Sequence, residues 1–466
     1  MKKILAVTLL ISMLGINMTP VWAKTSSGVS QSSPKVFKSM IKQNKKQNAD
    51  AYKYDYINMD WWNNFNDPIL SGYIIKAVQN NYDLKMATMA VEEYYQATKI
   101  QFASELPTMG AGFSPAYVKM PGTSDWDWSY ATPLYVNYEA DIFLKNHDKT
   151  KASKKQYEAS KFDERAAYIA IAGAVGVTYL NIVRLDKIIE LQEKIVATRQ
   201  DIYNLMLLSN KEGLISTSDT IKANKSLVAG QTELIEFQKQ REKLMHALAV
   251  LIGESPDNVS ELAITPYNQI KFTGVIPEEI ASDIIVQRPD YLRAETMVEK
   301  AGIDVRVARK EFLPTINLTG LALFNASELS SAWSTKGMLG ALAAGAILPL
   351  FTGGARVANL KLKKATYERL LQDYYKTNLT AIQEINDSLV SVKKDREKMT
   401  ATLKQAELEK NDYSYTQKKY NQGVISRLDL IQVQENLLTI DKMVTQQNIE
   451  CMVDYIGLYK AVGSKL

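Results

Sequence analysis

Gly213-Leu-Ile-Ser-Thr-Ser-Asp219 returns as Gly423-Val-Ile-Ser-Arg-Leu-Asp429, and this repeated segment sets the architecture. On either side of it, other short matches keep the same order at nearly the same offset. Leu251-Ile-Gly253 is answered by Ala461-Val-Gly463, and Leu106-Pro107-Thr108 by Leu313-Pro314-Thr315. Asp83-Leu84 returns as Asp290-Tyr291, and Phe143 as Phe351. A period of about 207 to 210 residues far exceeds solenoid repeats, so the chain reads as two copies of one large unit.

Both quoted segments follow a long helical stretch. Between Gly354 and Gly423 lie 68 residues without Gly or Pro, which at about 1.5 Å per residue is roughly 100 Å of helix. The first copy has its counterpart from about Asp148 to Asn210, interrupted only by Gly173 and Gly176. Ile385, Leu389 and Val392, like the pairs Leu180/Val183 and Ile188/Leu191, recur at three- and four-residue steps that suit coiled-coil-like packing. Two shorter helical stretches, Pro68 to Glu105 and Leu214 to Ile252, can stack end to end along one rod. Gly213 and Gly423 suit the left-handed ending of a long helix, and Ser216 and Ser426 can cap the helix that returns. Thr217 and Ser218 continue one tip, Arg427 and Leu428 the other. Asp219 and Asp429 stand in the first turn, where the helix dipole favours an acid.

Between the helices the period changes to two. In Thr108–Met120, Met109, Ala111, Phe113 and Tyr117 share one face, with Gly110, Gly112 and Ser114 on the other. Trp128, Tyr130, Leu134, Val136 and Tyr138 oppose Ser129, Ala131 and Asn137. In the second copy Ile316, Leu318, Ala322 and Phe324 oppose Thr315, Asn317 and Thr319, while Gly340–Phe351 is small, apolar and poorly alternating. The pattern fits lipid-facing barrel strands and equally a soluble four-stranded sheet over the helices. Four strands cannot close a barrel, so a membrane location requires several subunits to share one.

Composition excludes other classes. A net charge of +5 over 466 residues is weak and reads as spread out, which predicts no nucleic-acid partner. Cys451 is the single cysteine, so no intramolecular disulfide forms, and it reads as packing in the last helix. With only His147 and His246, the chain offers no nucleophile–base–orienter set, and neither metal nor cofactor site is expected. His147, beside Asp148, reads as a surface residue. Met86 and Met89 read as packing, and Lys361, Lys363, Lys364, Lys393 and Lys394 as solvated faces. No internal run of 18 apolar residues predicts a membrane-spanning helix. Lys2 and Lys3, the apolar run from Ile4 to about Ile16 and Val21-Trp22-Ala23 read as a signal peptide, residues 1–23, cleaved after Ala23. No cysteine stands at that point to carry lipid. A polar extension, 24–60, then precedes the first repeat (61–256), a linker (257–276) and the second repeat (277–466).

The ordered motifs resemble the TolC-type outer-membrane efflux family, especially the branch serving resistance–nodulation–division pumps. Trp61-Trp62-Asn-Asn-Phe65-Asn-Asp67-Pro68-Ile-Leu70 and Asn80-Asn-Tyr-Asp83-Leu84 match its opening. Leu106-Pro107, Tyr138-Glu-Ala-Asp141-Ile-Phe143, Ile276-Pro277 and Gln287-Arg288-Pro289-Asp290 follow. Phe312-Leu313-Pro314, Pro349-Leu-Phe351-Thr-Gly353-Gly354 and Tyr420-Asn-Gln-Gly423 complete the set, which spans about residues 60 to 464. The resemblance implies a mainly α fold with membrane β. Long helical hairpins form a trimeric α-barrel capped by one shared 12-stranded β-barrel, four strands per protomer. It also implies a Gram-negative outer-membrane location reaching into the periplasm, an unlipidated chain, outer-membrane lipid around the strands, and no catalysis. The partners implied are two further copies, a periplasmic adaptor and an inner-membrane resistance–nodulation–division pump. Matching the second tip position by position implies a periplasmic gate with Leu428 in the aliphatic ring, Asp429 in an acidic ring and Tyr420 as the closing tyrosine. Gln432 replaces a second acid of the family, Glu435 a base found in some relatives, and Ile425 the locking arginine, so that Arg427 substitutes for it only by geometry. Asp219 is the equivalent acid of the first tip. Gly213, Ser216, Gly423 and Ser426 are the tip turns that meet the adaptor. An exported adhesive coiled-coil protein would account for the rods, but not for the aromatic strands or the repeated tips.

Overall fold

The computed structural model describes residues 61–119, 124–274 and 282–463. The expected leader (1–23), the polar extension (24–60), Met120 and the Ile276-Pro277 motif lie outside the described residues. After a 3-10 turn at Trp61–Phe65, the first half holds α1 (Pro68–Asn80), α2 (Tyr82–Ala103), β1 (Thr108–Ala111), β2 (Ser114–Val118) and β3 (Asp127–Ala140), then α3 (Lys145–Lys211) and α4 (Thr217–Leu251). The second half holds α5 (Pro289–Lys310), β4 (Thr315–Ala326), β5 (Met338–Ile347), α6 (Ala355–Asn421) and α7 (Arg427–Val462). α3 and α6 contain 67 residues each and stand at equivalent places in the two halves.

The helix expected from Pro68 to Glu105 is divided at Asn81. That residue leaves the helix at ψ 129°, and its side chain accepts from the Leu84 amide at 3.0 Å to cap α2. Its Nδ2 also donates 2.9 Å to the carbonyl of Leu251, the last residue of α4. Arg288, the cap residue before α5, donates to the carbonyl of Ala461 near the end of α7. The two copies thus close their hairpins at equivalent points with different side chains.

Trp61, Trp62, Phe65, Leu70 and Ile74 pack with Tyr179, Leu180, Tyr455 and Ile456 in the main core. Buried Asp67 ties this core to the chain between the halves. It accepts from Tyr179 Oη (2.9 Å) and Thr265 Oγ1 (3.0 Å) while capping α1 through the Ile69 and Leu70 amides. α3 contains a stretch long and apolar enough to cross a membrane by composition, but over half of that stretch is buried among the other helices. It is a core helix. Cys451 is half-buried, whereas Met86 and Met89 are exposed in the single chain, against the expectation that they pack.

The strands form one antiparallel sheet in the order β1-β3-β4-β5, with β2 also pairing β3. β1 and β2 are one arm in one register. The ladder breaks between them opposite Pro133, which accepts from the Gly112 amide at 2.8 Å and has no N–H to return. Register places Tyr130, Leu134, Val136 and Tyr138 of β3 on the same face as Leu318, Ala322 and Phe324 of β4, as the alternation predicted. The opposite face is polar toward both ends, with Ser129 Oγ 2.9 Å from Asn325 and Thr319 Oγ1 3.2 Å from Asn137, and holds Tyr135, Leu321 and Leu323 between them. The fourth strand, expected at Gly340–Phe351, lies instead at Met338–Ile347. Pro349 cannot donate to a ladder, which confines pairing to the residues before it. Among the described residues the β1–β2 arm and β5 each lack a partner strand on their outer side.

Candidate functional site: the two helix tips

Each tip is a helix ending, a three-residue turn and a capped restart. The Gly213 amide bonds Asn210 O at 3.0 Å and the Leu214 amide Ser209 O at 2.9 Å. The Gly423 and Val424 amides repeat this on Tyr420 O and Lys419 O. This six-to-one and five-to-two pattern needs a left-handed residue, and Gly213 and Gly423 supply it at φ +70° and +72°. The turns leave Leu214 and Val424 exposed, at 76% and 69%.

The restarts differ. Ser216 Oγ accepts the Asp219 amide, and Asp219 in turn takes Ser216 Oγ at 2.8 Å and Lys222 Nζ at 3.0 Å. At the second tip the Asp429 carboxylate binds both the Ser426 amide (3.1 Å) and its hydroxyl (2.7 Å), a complete capping box without a lysine. Hydrogen bonds from the capping serine hold both carboxyls below the ordinary aspartate range, with Lys222 adding to the effect at Asp219. Thr217, Ser218, Arg427 and Gln432 are exposed, Asp429 is exposed above the turn, and Leu428 is half-buried. Tyr420 is 36% exposed, and its hydroxyl has no hydrogen bond among the described residues. Asn210, its counterpart at the first tip, closes its own turn by donating 3.0 Å to Ile215 O.

Further along the helices a set of polar contacts joins the two hairpins. Arg427 Nη2 lies 3.6 Å from Asp201 Oδ2 of α3, between exposed side chains. Deeper in, Arg199 of α3 pairs with Glu435 of α7 at 2.7 Å and reaches Ser226 O of α4. Its path passes Gly230, where a Cβ would stand 3.1 Å from Arg199 Nη1. Beyond it, fully buried Gln192 donates to Gly230 O (2.9 Å) and accepts from Lys442 Nζ (2.7 Å), and Lys442 also binds Glu233 at 3.0 Å. The second tip therefore leans on the first hairpin through charge-assisted bonds.

Sequence reading named Arg427, Glu435 and both aspartates but missed Arg199, Asp201, Gln192 and Lys442. A signal existed. Gln192 and Arg199 stand seven residues apart within the Ile188–Leu191–Ile195 seam, and polar residues at heptad positions mark cross-helix contacts. Among the described residues no cluster of His, Cys, Asp and Glu has the form of a metal site.

The model of the outer membrane efflux protein family matches twice, over residues 74–254 and 280–464. The chain belongs to that family. Relatives of this efflux protein include a toluene efflux pump outer membrane protein, TtgC, of Pseudomonas putida, 27% identical over 421 residues that cover 86% of this chain and 84% of the relative. The antibiotic efflux pump outer membrane protein ArpC of Pseudomonas putida is 26% identical over 411 residues, again 86% and 84%. In fold the chain is similar to the Campylobacter jejuni CmeC outer membrane channel, with a TM-score of 0.78 at 24% identity over 87% of this chain and 88% of that one.

Proposed function

We propose that this efflux-family chain is the outer-membrane exit duct of a tripartite export system, conducting substrate passively from periplasm to exterior. One observation carries the proposal most strongly. Its sheet carries a continuous apolar face and an opposite face that is polar toward both ends, with no partner strand on either outer edge among the described residues. Unpaired strand edges are not tolerated in lipid, so the sheet is completed by other copies. Three copies give twelve strand arms, with the apolar face toward lipid and the polar face toward a lumen. The helical hairpins then enclose the periplasmic tunnel, each chain contributing the two repeats at 61–256 and 277–466. The leader 1–23 directs export and leaves the mature chain unlipidated.

The tips close the duct at rest. Asp429, Leu428 and Tyr420 line the constriction with Gln432, and Asp219 contributes the acid of the first tip. Like charges brought around one axis repel and favour cations there. Arg427 takes the place of a locking arginine by pairing with Asp201, and Arg199–Glu435 makes the stronger tie. A periplasmic adaptor meets the turns at Gly213, Ser216, Gly423 and Ser426, where Leu214 and Val424 offer apolar contact. An inner-membrane resistance–nodulation–division pump supplies the work and selects the cargo, and no reaction is catalysed by the duct. Replacing Asp429 and Tyr420 together should raise single-channel conductance in planar bilayers; unchanged conductance removes both from the gate.

A further inference from the structure

The formal charge is not spread out as the sequence suggested. Nine lysines and three aspartates precede Trp61, which leaves residues 61–466 one charge negative. Within that part, residues 145–161 at the start of α3 hold six lysines against Asp148 and Glu158. The matching window at the start of α6, residues 355–371, holds Arg356, Lys361, Lys363, Lys364 and Arg369 against Glu368. Each window is thus four charges positive in a domain that is otherwise acidic.

The two windows share a motif in register. Lys151-Ala-Ser-Lys154-Lys-Gln-Tyr157-Glu158 in α3 returns as Lys361-Leu-Lys-Lys364-Ala-Thr-Tyr367-Glu368 in α6. The tyrosines dock the motif alike. Tyr157 lies 5.4 Å, centroid to centroid, from Tyr95 of α2, and Tyr367 lies against Gly302 of α5. In both copies this leaves the two lysines exposed. Several helix lysines elsewhere are paired, as Lys187 and Lys194 with Glu190 or Lys239 with Glu236. Here Lys155 occupies Glu158, and Lys310 with Arg306 occupies Asp148, so the exposed quartet has no ion pair among the described residues.

The position of the quartet gives it a partner. Immediately beyond the strands, exposed apolar residues appear in both copies: Ile142, Phe143 and Leu144 in one, Leu350 and Phe351 in the other. The lysines follow at roughly 9 and 14 Å along each helix at about 1.5 Å per residue. Apolar strand face, apolar junction and then base is the order across a membrane–water boundary, whose headgroup layer is roughly 5–8 Å deep on each side. Flexible lysine stems span the remaining distance.

We propose that Lys151, Lys154, Lys361 and Lys364 form a basic collar that binds the phosphates of anionic phospholipid headgroups at the periplasmic surface of the membrane. The collar rests on the reading of the sheet as membrane-spanning. It fixes the depth at which the helices leave the bilayer and gives both copies the same footing there.

The full chain is inserted into vesicles of phosphatidylethanolamine, alone or mixed with phosphatidylglycerol, and the lipids retained after detergent release are counted by native mass spectrometry. The wild type should retain phosphatidylglycerol preferentially. The K151Q/K154Q/K361Q/K364Q variant should lose that preference at roughly fivefold per lysine, while the four lysine-to-arginine changes preserve it. A K187Q/K239Q/K394Q control should behave as wild type. The proposal is overturned if the quartet variant keeps its preference, or if the control loses it equally. It is also overturned if the quartet governs binding to isolated peptidoglycan sacculi while lipid retention is unchanged. Failure to insert even into phosphatidylethanolamine would overturn the membrane reading itself, whereas insertion without lipid preference would overturn the collar alone.

Discussion

α3 and α6 have the same length and the same place in their repeats, yet α3 buries 23 residues and α6 only six. The cause is their neighbours. Among the described residues α3 is packed by α1, α2, α4, α5 and α7, whereas α6 meets chiefly α5 and α7. Leu180, Ile182 and Val183 consequently sit fully buried, while Leu379, Val390 and Leu408 of α6 are exposed at 60–69%. Their seams differ as well. Leu185 and Leu244 pack the first hairpin, and the equivalent positions of the second hold Asp395 and Asp454. Sequence duplication therefore builds two similar scaffolds, and burial is then assigned by what lies beside each.

The largest effect should come from Leu180→Ala, which removes buried apolar volume from α3. It should lower chain stability by about 2–5 kcal/mol in denaturant unfolding. Leu379→Glu with Leu408→Glu on α6 should leave the fold intact and abolish the proposed trimer in detergent, as read by light scattering. Stable oligomers from that variant would show that the exposed face of α6 is not an intersubunit surface.

The aspartate seam predicts a smaller, pH-dependent difference. Burial, and then the neighbouring Asp395 carboxyl, push Asp454 up to about 7, and its Oδ2 is buried without a hydrogen-bond partner. Glu450 of α7 adds to the repulsion and Lys398 of α6 offsets part of it, while half-buried Arg184 of α3 faces Glu450. The folded chain thus holds a proton that the unfolded chain releases near 4. The associated stability is complete below that value and disappears as pH rises toward about 7. The melting temperature should accordingly fall from pH 5 to pH 8 in the wild type. Asp395→Leu with Asp454→Leu, which copies the first hairpin, should remove the fall. An unchanged pH profile would refute a protonated Asp454 at the seam.

The smallest difference concerns the caps. Ser216→Ala and Ser426→Ala should each cost about 1 kcal/mol of local stability by hydrogen exchange. The loss should spread further at the second tip, where the serine amide and hydroxyl both engage Asp429. Equal spread in the two copies would mean that the capping box adds nothing.

Much was legible because it is local. A Gly- and Pro-free run dictates a rod, a Gly–x–x–Ser turn dictates a Schellman ending followed by a cap, and strict alternation dictates a two-faced strand. These fixed α3, α6, both tips and the faces of β3 and β4, along with the family. The break at Asn81 was not legible, because the carbonyl of Leu251 that completes it lies 170 residues away. Neither was the end of β5, set by the missing N–H of Pro349 within an apolar run that otherwise reads as strand.

The sequence alone determined the long rods, the tips, their duplication and their order, since each depends on backbone preferences and side-chain period within a few turns. Tertiary structure alone decided that Arg427 reaches Asp201, that Glu435 answers Arg199, and that α3 rather than α6 is buried. Those outcomes depend on which helix lies beside which, and side-chain periodicity carries no information about neighbours distant in the chain.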